Sequence, residues 1–225
     1  MNCKEEAAWG SKTLFFIVNP ASHSGKGMAL WKKTEAILKA KNVSYEAFLS
    51  EKKGDIAVLA RRLTGSLKEG EERTLIMLGG DGTVNEGLQG IRNFEQVRLG
   101  YIPTGSSNDL ARDMGMDGNV KHALMAVLNE SREKRMDLGH LIWRENGKRR
   151  ERLFLVGCGI GYDAEVCEET FLSPMKSVLN RIGLGKLTYL GIGLKKMVTA
   201  PCVRAAVRLD GERIVHLQKM LFVAS

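Results

Sequence analysis

The sequence predicts an α/β fold: a Rossmann-like N-terminal domain built on a parallel sheet, then an incomplete antiparallel β-sandwich domain with a helical insertion. Three observations carry this prediction. Strand-like and helix-like segments alternate through the first half, the pattern of a parallel sheet with helices on both faces. The strands of that half are continuous apolar runs such as Leu14-Phe15-Phe16-Ile17-Val18, as expected where both faces are buried. The second half changes to alternating strands with two strong hairpin signals, Asn146-Gly147 and Asp210-Gly211. The change falls near residues 130–135, so the expected domains are 1–133 and 134–225.

In order, the first strand covers 13–18 and stops at Asn19-Pro20. Leu30, Thr34, Ile37 and Leu38 then follow helical spacing. Residues 43–49 form a second strand. Asp55 stands where it can cap a helix whose Ile56, Leu59, Ala60 and Leu63 share a face. Strands over 74–78 and 98–102 follow, the latter stopped by Pro103, and a helix over 123–128 closes the half. Beyond it, a strand over 136–143 turns at Asn146-Gly147 into 152–156. Helical stretches are expected at 175–182 and 186–198. Val203, Ala205, Val207 and Leu209 alternate with Arg204 and Arg208, a half-exposed strand that Asp210-Gly211 returns to Ile214-Val215. The last strand ends with the chain, without a turn or polar tail, as in a fragment of a longer protein.

A length of 225 residues, 44% of them hydrophobic and 27% charged, suits one large or two small globular domains. Cys3, Cys158, Cys167 and Cys202 show no C-x-x-C spacing and read as free buried thiols in a reducing compartment. The four histidines lack zinc-ligand spacing. The first residues contain Glu5 and Glu6 and no long apolar core, unlike a signal peptide, and no run approaches a membrane span. The net charge of +8 is concentrated. Residues 170–209 contain Lys176, Arg181, Lys186, Lys195, Lys196, Arg204 and Arg208 and, after Thr170, no acid. Such a face favours an anionic partner.

The loop with most chemical content is Gly79-Gly80-Asp81-Gly82-Thr83-Val84-Asn85-Glu86, which follows an apolar strand and opens a helix. Its bare amides suit phosphate oxygens, and the helix adds a positive dipole end. An acid inside a phosphate cradle calls for a cation between them, so the loop points to a nucleotide with Mg²⁺. Three other loops share its sheet edge, where ligands bind in open α/β folds. They are Asn19-Pro20-Ala21-Ser22-His23-Ser24-Gly25-Lys26-Gly27, the turn Ser50 to Asp55, and Pro103-Thr104-Gly105-Ser106-Ser107-Asn108-Asp109. The first is a phosphate loop or a plain strand-to-helix turn; it is no Walker loop, because Pro20 stands where that motif needs glycine. Asp109 is a helix cap or part of an acidic cluster. Gly157-Cys158-Gly159-Ile160-Gly161 imitates a dinucleotide fingerprint, but Tyr162 replaces its third glycine and tight backbone packing explains it better.

Together Asn19-Pro20, the Gly79 to Glu86 loop and Pro103-x-Gly-Ser-x-Asn-Asp109 resemble the diacylglycerol kinase catalytic family, with its bacterial lipid kinases, sphingosine kinases and ceramide kinases. The resemblance continues through Met136-Asp137-Leu138-Gly139, Gly159 to Ala164 and Leu187-Thr188-Tyr189-Leu190. It implies ATP across the first-domain loops, touching Asn19, Pro20, Ala21, Ser22, His23, Ser50, Gly79, Gly80, Asp81, Gly82, Thr83, Val84, Asn85, Glu86, Gly105, Ser106 and Asn108. Ser50 and Ser106 stand where threonine is usual. Asp81, Asp109 and Asp137 match acids around Mg²⁺ and water, with Asp81 as the catalytic residue.

The implied activity is ATP-dependent transfer of the γ-phosphoryl group to a lipid hydroxyl, diacylglycerol first, by a cytoplasmic protein in peripheral contact with an anionic membrane surface. The partners are the lipid substrate and, in a homodimer, a second copy of the chain. Leu187, Leu190, Leu194 and Val198 form a stripe with Lys195 and Lys196 beside it, suited to such a surface or to packing within a globular domain. The chain stops before the Asp-Gly-x-Leu context that supplies the family's base, so it can bind nucleotide yet lack catalysis. The alternatives are a non-catalytic nucleotide-binding protein of the same fold and a soluble-substrate kinase resembling NAD kinase. Nucleic acid is not an expected partner: a pI of about 9.4 is its only support, against 7 Phe, 4 Tyr and 3 Trp with no stacking motif.

Overall fold

The computed structural model describes residues 12–129, 133–172 and 185–224. The chain divides between Val156 and Gly157 into two compact units. The first is built on β1 (Leu14–Val18), β2 (Tyr45–Leu49), β3 (Arg73–Gly79) and β4 (Val97–Pro103), all parallel, in the order β2-β1-β3-β4. Side chains along a strand alternate between faces, so each apolar run feeds two cores. Leu14, Phe16, Val18, Ile76, Leu78 and Ile102 pack on α2 (Gly27–Ala40) and α6 (Val120–Val127) through Trp31, Leu38, Ala123 and Leu124. Ile17, Leu75, Met77 and Tyr101 pack on the other face against α3 (Asp55–Thr64), α4 (Asp81–Leu88) and α5 (Asp109–Asp113). Phe16, Trp31 and Tyr45 add a tilted and edge-on aromatic cluster, with centroids 5.2 to 6.2 Å apart. Each such buried side chain contributes about 1.5–3 kcal/mol. A short turn, α1 (Ser22–Gly25), leads into α2 with His23 and Ser24 left-handed.

The Asn146-Gly147 signal is realised as a tight turn with φ of 50° and 75° between β5 (Gly139–Glu145) and β6 (Lys148–Phe154). Gln89, just after α4, grips this hairpin in the manner of a strand neighbour. Its Nε2 donates to the Leu153 carbonyl at 2.9 Å and its Oε1 accepts from the Leu153 amide at 3.0 Å.

The second unit contains β7 (Gly159–Gly161), α7 (Tyr162–Leu172), α8 (Gly185–Thr199), β8 (Val203–Leu209), β9 (Arg213–Met220) and β10 (Phe222–Ala224). β7 pairs with β10 and β8 with β9, both antiparallel. A side chain at Gly161 would strike the Leu221 carbonyl, so the last of the fingerprint-like glycines serves close strand packing. α8 falls where the 186–198 periodicity places a helix, whereas 175–182 lies outside the described residues. α7 was not expected, because its apolar residues form no clear stripe. It is held by α8: the Tyr162 hydroxyl donates to the Gly193 carbonyl at 2.9 Å, and Glu165 and Glu169 pair with Lys196 and Lys195 at 2.9 and 2.6 Å.

Two expectations need correction. Cys158, Cys167 and Cys202 are free, but Cys167 and Cys202 are exposed and Cys158 half-buried; Cys3 lies outside the described residues. Asp55 does not cap α3. Its carboxylate turns back to accept from the Glu51 and Lys52 amides, both at 2.9 Å, and these amides hold it below the usual aspartate range.

Candidate functional site

The sheet order reverses at β1, whose neighbours β2 and β3 lie on opposite sides. A crevice outside the carboxyl ends of β1 and β3 is therefore the expected ligand site of this architecture. Asn19 and the turn from Gly79 to Gly82 line that point. The Asn19 amide donates to the Leu78 carbonyl at 2.9 Å. Its side chain donates to Thr83 Oγ1 at 3.0 Å and accepts from the Ala21 amide at 3.1 Å, which fixes the turn around Pro20.

The loop after β4 is laced to both others. Ser22 Oγ lies 2.8 Å from Thr104 Oγ1, and His23 Nδ1 lies 3.4 Å from the Gly105 carbonyl. Gly80 and Gly105 meet backbone to backbone. A Cβ on Gly80 would sit 2.9 Å from the Gly105 Cα, and one on Gly105 would sit 2.6 Å from the Gly80 Cα. Neither position has room for a side chain. Gly82 differs: nothing lies within 4 Å of its absent Cβ, so its backbone faces open space. No side chain caps α4, whose N-cap is Gly80 in extended conformation. The Thr83 amide already donates to the Gly80 carbonyl at 2.9 Å, so of the first amides of α4 those of Asp81 and Gly82 are without a hydrogen bond among the described residues, and amides so placed at a helix start suit an anion.

The acid inside this cradle is turned away from it. Asp81 Oδ2 accepts from the Asp109 amide at 2.8 Å, and Oδ1 accepts from the Leu110 amide at 3.2 Å. Asp81 thus caps α5 from another helix, where a negative charge is favourable. Asn108 holds the loop in shape by accepting from the Gly105 amide at 2.8 Å. Asp109, the other candidate cap, pairs instead with Arg112. Glu86, at the other end of α4, repeats the device: its Oε1 accepts from the Gly54 and Ile56 amides at 2.8 and 3.1 Å and caps α3. One short helix therefore carries two carboxylates that fix the loops after β2 and β4.

The remaining predicted residues are placed unevenly. Ser50 follows β2, and its amide donates to the Val18 carbonyl at 2.9 Å. Ala21, His23 and Ser106 are exposed on the loops. Asn85 uses its carbonyl to hold Gln89 at 2.7 Å. Val84 packs in the core at 2% exposure and supports the turn from beneath. Asp137 is exposed in the segment before β5, and among the described residues no hydrogen bond joins it to Asp81 or Asp109. Thr104 and Tyr101 belong to the site although neither was singled out from the sequence. Tyr101 is 6% exposed, and its hydroxyl lies 3.4 Å from Asp81 Oδ1 and 3.3 Å from Asn108 Oδ1. Burial first, and then the Asp81 charge, push its phenol well above the ordinary tyrosine range, so it remains a donor. The available signal was a lone hydroxyl in a buried strand, since a buried Tyr O–H finds a partner.

Among the described residues no three His, Cys, Asp or Glu side chains group as a metal cage. Magnesium does not require one, because it takes one or two carboxylates and fills its octahedron with phosphate oxygens and water. The carboxylates that the sequence offers here are Asp81, engaged by the Asp109 and Leu110 amides, and the 45%-exposed Asp109, which pairs with Arg112. Among the described residues no helix is long and apolar enough to cross a membrane.

Residues 13–141 match the model of the diacylglycerol kinase catalytic domain. Over 175 residues the chain is 28% identical to YtlR of Bacillus subtilis, provisionally named a lipid kinase, covering 78% of this chain and 56% of that protein. It is 29% identical over 212 residues to a diacylglycerol kinase of Staphylococcus epidermidis, covering 92% and 60% respectively. The crystal structure of a diacylglycerol kinase from Bacillus anthracis shares the fold with a TM-score of 0.61 at 22% identity, over 95% of this chain and 63% of that one. The chain thus spans 56% to 60% of the length of these two curated relatives.

Proposed function

Since the chain belongs to the diacylglycerol kinase catalytic domain family, we propose that the intact protein transfers the γ-phosphoryl group of ATP to a lipid hydroxyl, converting diacylglycerol to phosphatidic acid. The observation that carries the proposal is the uncapped N-terminus of α4 at the β1/β3 crevice, with Gly82 open to solvent and the Asp81 carboxylate turned aside. In the transfer the acceptor oxygen bonds to the γ-phosphorus, the bond to the β-phosphate bridging oxygen breaks, ADP leaves and the hydroxyl proton is released. Such a reaction demands positioning and charge neutralisation above all.

Each part of the rim has a task in this reading. The Gly80 to Gly82 backbone receives phosphate oxygens, and the Asn19 to His23 turn and Ser50, Gly105 and Ser106 border the nucleotide. Asp81, Glu86 and Asn108 hold these loops in register. Magnesium, when bound, would neutralise phosphate charge, held by Asp81 and Asp109 with Asp137 as the third acid. Asp81 already accepts from two amides and serves as an organiser, so the proton acceptor is assigned outside the rim. The division into a nucleotide-binding domain, 1–133, and the start of a lipid-substrate domain, 134–225, belongs to the same reading, as does cytoplasmic location with peripheral membrane contact. Lys195 and Lys196 already face Glu165 and Glu169, so the attraction to an anionic surface would fall to other basic residues.

The test is transfer from γ-labelled ATP by the intact protein, offered a panel of lipid alcohols and NAD. Label in phosphatidic acid is the expected result. Nucleotide binding without label in any lipid would favour the non-catalytic reading, and label in NADP would favour a soluble substrate.

A further inference from the structure

Tyr101 is well placed to connect two of the loops. It stands on β4, on the face covered by α4 and α5. Its ring is part of that core, while its hydroxyl reaches the two oxygens that shape the loops after β3 and β4. Asp81 Oδ1 also accepts from the Leu110 amide at 3.2 Å, and Asn108 Oδ1 from the Gly105 amide at 2.8 Å. Both oxygens are acceptors, so the single phenolic proton is the only thing that Tyr101 can offer them, and the two share it. Without it, each oxygen would keep only the amide it already accepts from, Leu110 for Asp81 and Gly105 for Asn108, and no side chain would join the two.

We propose that Tyr101 is a positioning residue, whose buried hydroxyl ties Asp81 to Asn108 and so fixes the α4 amides relative to the loop after β4. Phenylalanine would fill the same core volume and fold, since only the oxygen is lost. The hydroxyl reaches Asp81 from β4, at the same oxygen that accepts from the Leu110 amide, and limits rotation of the carboxylate. The consequence for turnover rests on the phosphoryl-transfer reading; the consequence for the loops does not.

The experiment compares the intact wild-type protein with Tyr101→Phe, Asp81→Asn and the double variant, by residue-resolved amide hydrogen exchange without nucleotide and by transfer kinetics. In Tyr101→Phe we expect the Asp109 and Leu110 amides to exchange about tenfold faster, with the Ile76, Met77 and Ile102 amides unchanged. We expect kcat to fall about tenfold with KM for ATP within about twofold, the split of a misplaced rather than a missing binding group. On the Asp81→Asn background the same substitution should add little to exchange, because the hydroxyl works through that carboxylate. Unchanged exchange at Asp109 and Leu110, or effects that simply add in the double variant, would overturn the proposal. Faster exchange in a protein that transfers no phosphoryl group in any form would leave the tie standing and remove the kinase reading instead.

Discussion

Between Leu14 and Leu124 the chain buries side chains on both faces of one sheet, whereas from Gly139 onward the described elements are held mainly by their nearest partners. Among the described residues every deeply buried apolar side chain lies in the first stretch. In the second, Ile142, Leu194, Val198, Val203 and Ile214 are 47% to 88% exposed, and α7 and α8 meet through surface ion pairs. The difference explains where the chemistry can be located. Loops inherit precision from the elements that carry them, and the parallel sheet carries four loops that are joined to one another by hydrogen bonds.

The contrast can be broken in several ways. Its largest test is Ile76→Ala in β3 beside Ile214→Ala in β9. A cavity at a fully buried site should cost about 2–5 kcal/mol by denaturant titration, and the exposed site less than about 1 kcal/mol. Equal losses would mean that the second unit is packed as tightly as the first. Next comes Gly80→Ala against Gly82→Ala. The first forces a Cβ onto the Gly105 backbone and should cost about 1–3 kcal/mol. The second meets no atom, so its melting temperature should stay put while nucleotide affinity falls. Loss of stability in both would show that the turn is structural throughout.

Smaller effects probe the caps. Glu86→Ala leaves the Gly54 and Ile56 amides without their acceptor, and we expect about 1 kcal/mol of destabilisation with exchange accelerated at the start of α3. A change confined to α4 would refute the cross-helix cap. Asp55 gives the smallest effect. Its folded pKa is depressed by the Lys52 and Glu51 amides, so its contribution is present above the unfolded value of about 3.9 and disappears as pH falls through the folded value. Asp55→Asn should lower stability slightly in the neutral range and leave it unchanged below the folded value, where the native carboxyl is already protonated; an identical profile would contradict the assignment.

Much of the fold was legible in the sequence because it is written locally. The apolar runs placed β1, β3 and β4 within a residue or two, and Asn146-Gly147 and Asp210-Gly211 placed both hairpin turns. The glycine loops were legible as a rim because four of them follow strands. What was not legible depends on distance along the chain. Asp81 meets its amides 28 and 29 residues away, and Glu86 meets its own 30 and 32 residues away, so neither role as a cap could be read from the sequence. Tyr101 looked like another apolar strand residue because its hydroxyl has meaning only once α4 and α5 are packed over it. α7 was missed for a related reason: its partners are on α8 and not within its own pattern.

The most direct test of the rim is to titrate ATP into the intact protein while following backbone amide resonances. Binding by main-chain groups at the β1/β3 crevice should shift Gly80, Asp81 and Gly82 first, with Ala21 and Gly105 following at the same midpoint and β8 and β9 silent. Saturable shifts along β8 and β9 with Gly80 to Gly82 unmoved, or no saturable shift at all, would contradict the account.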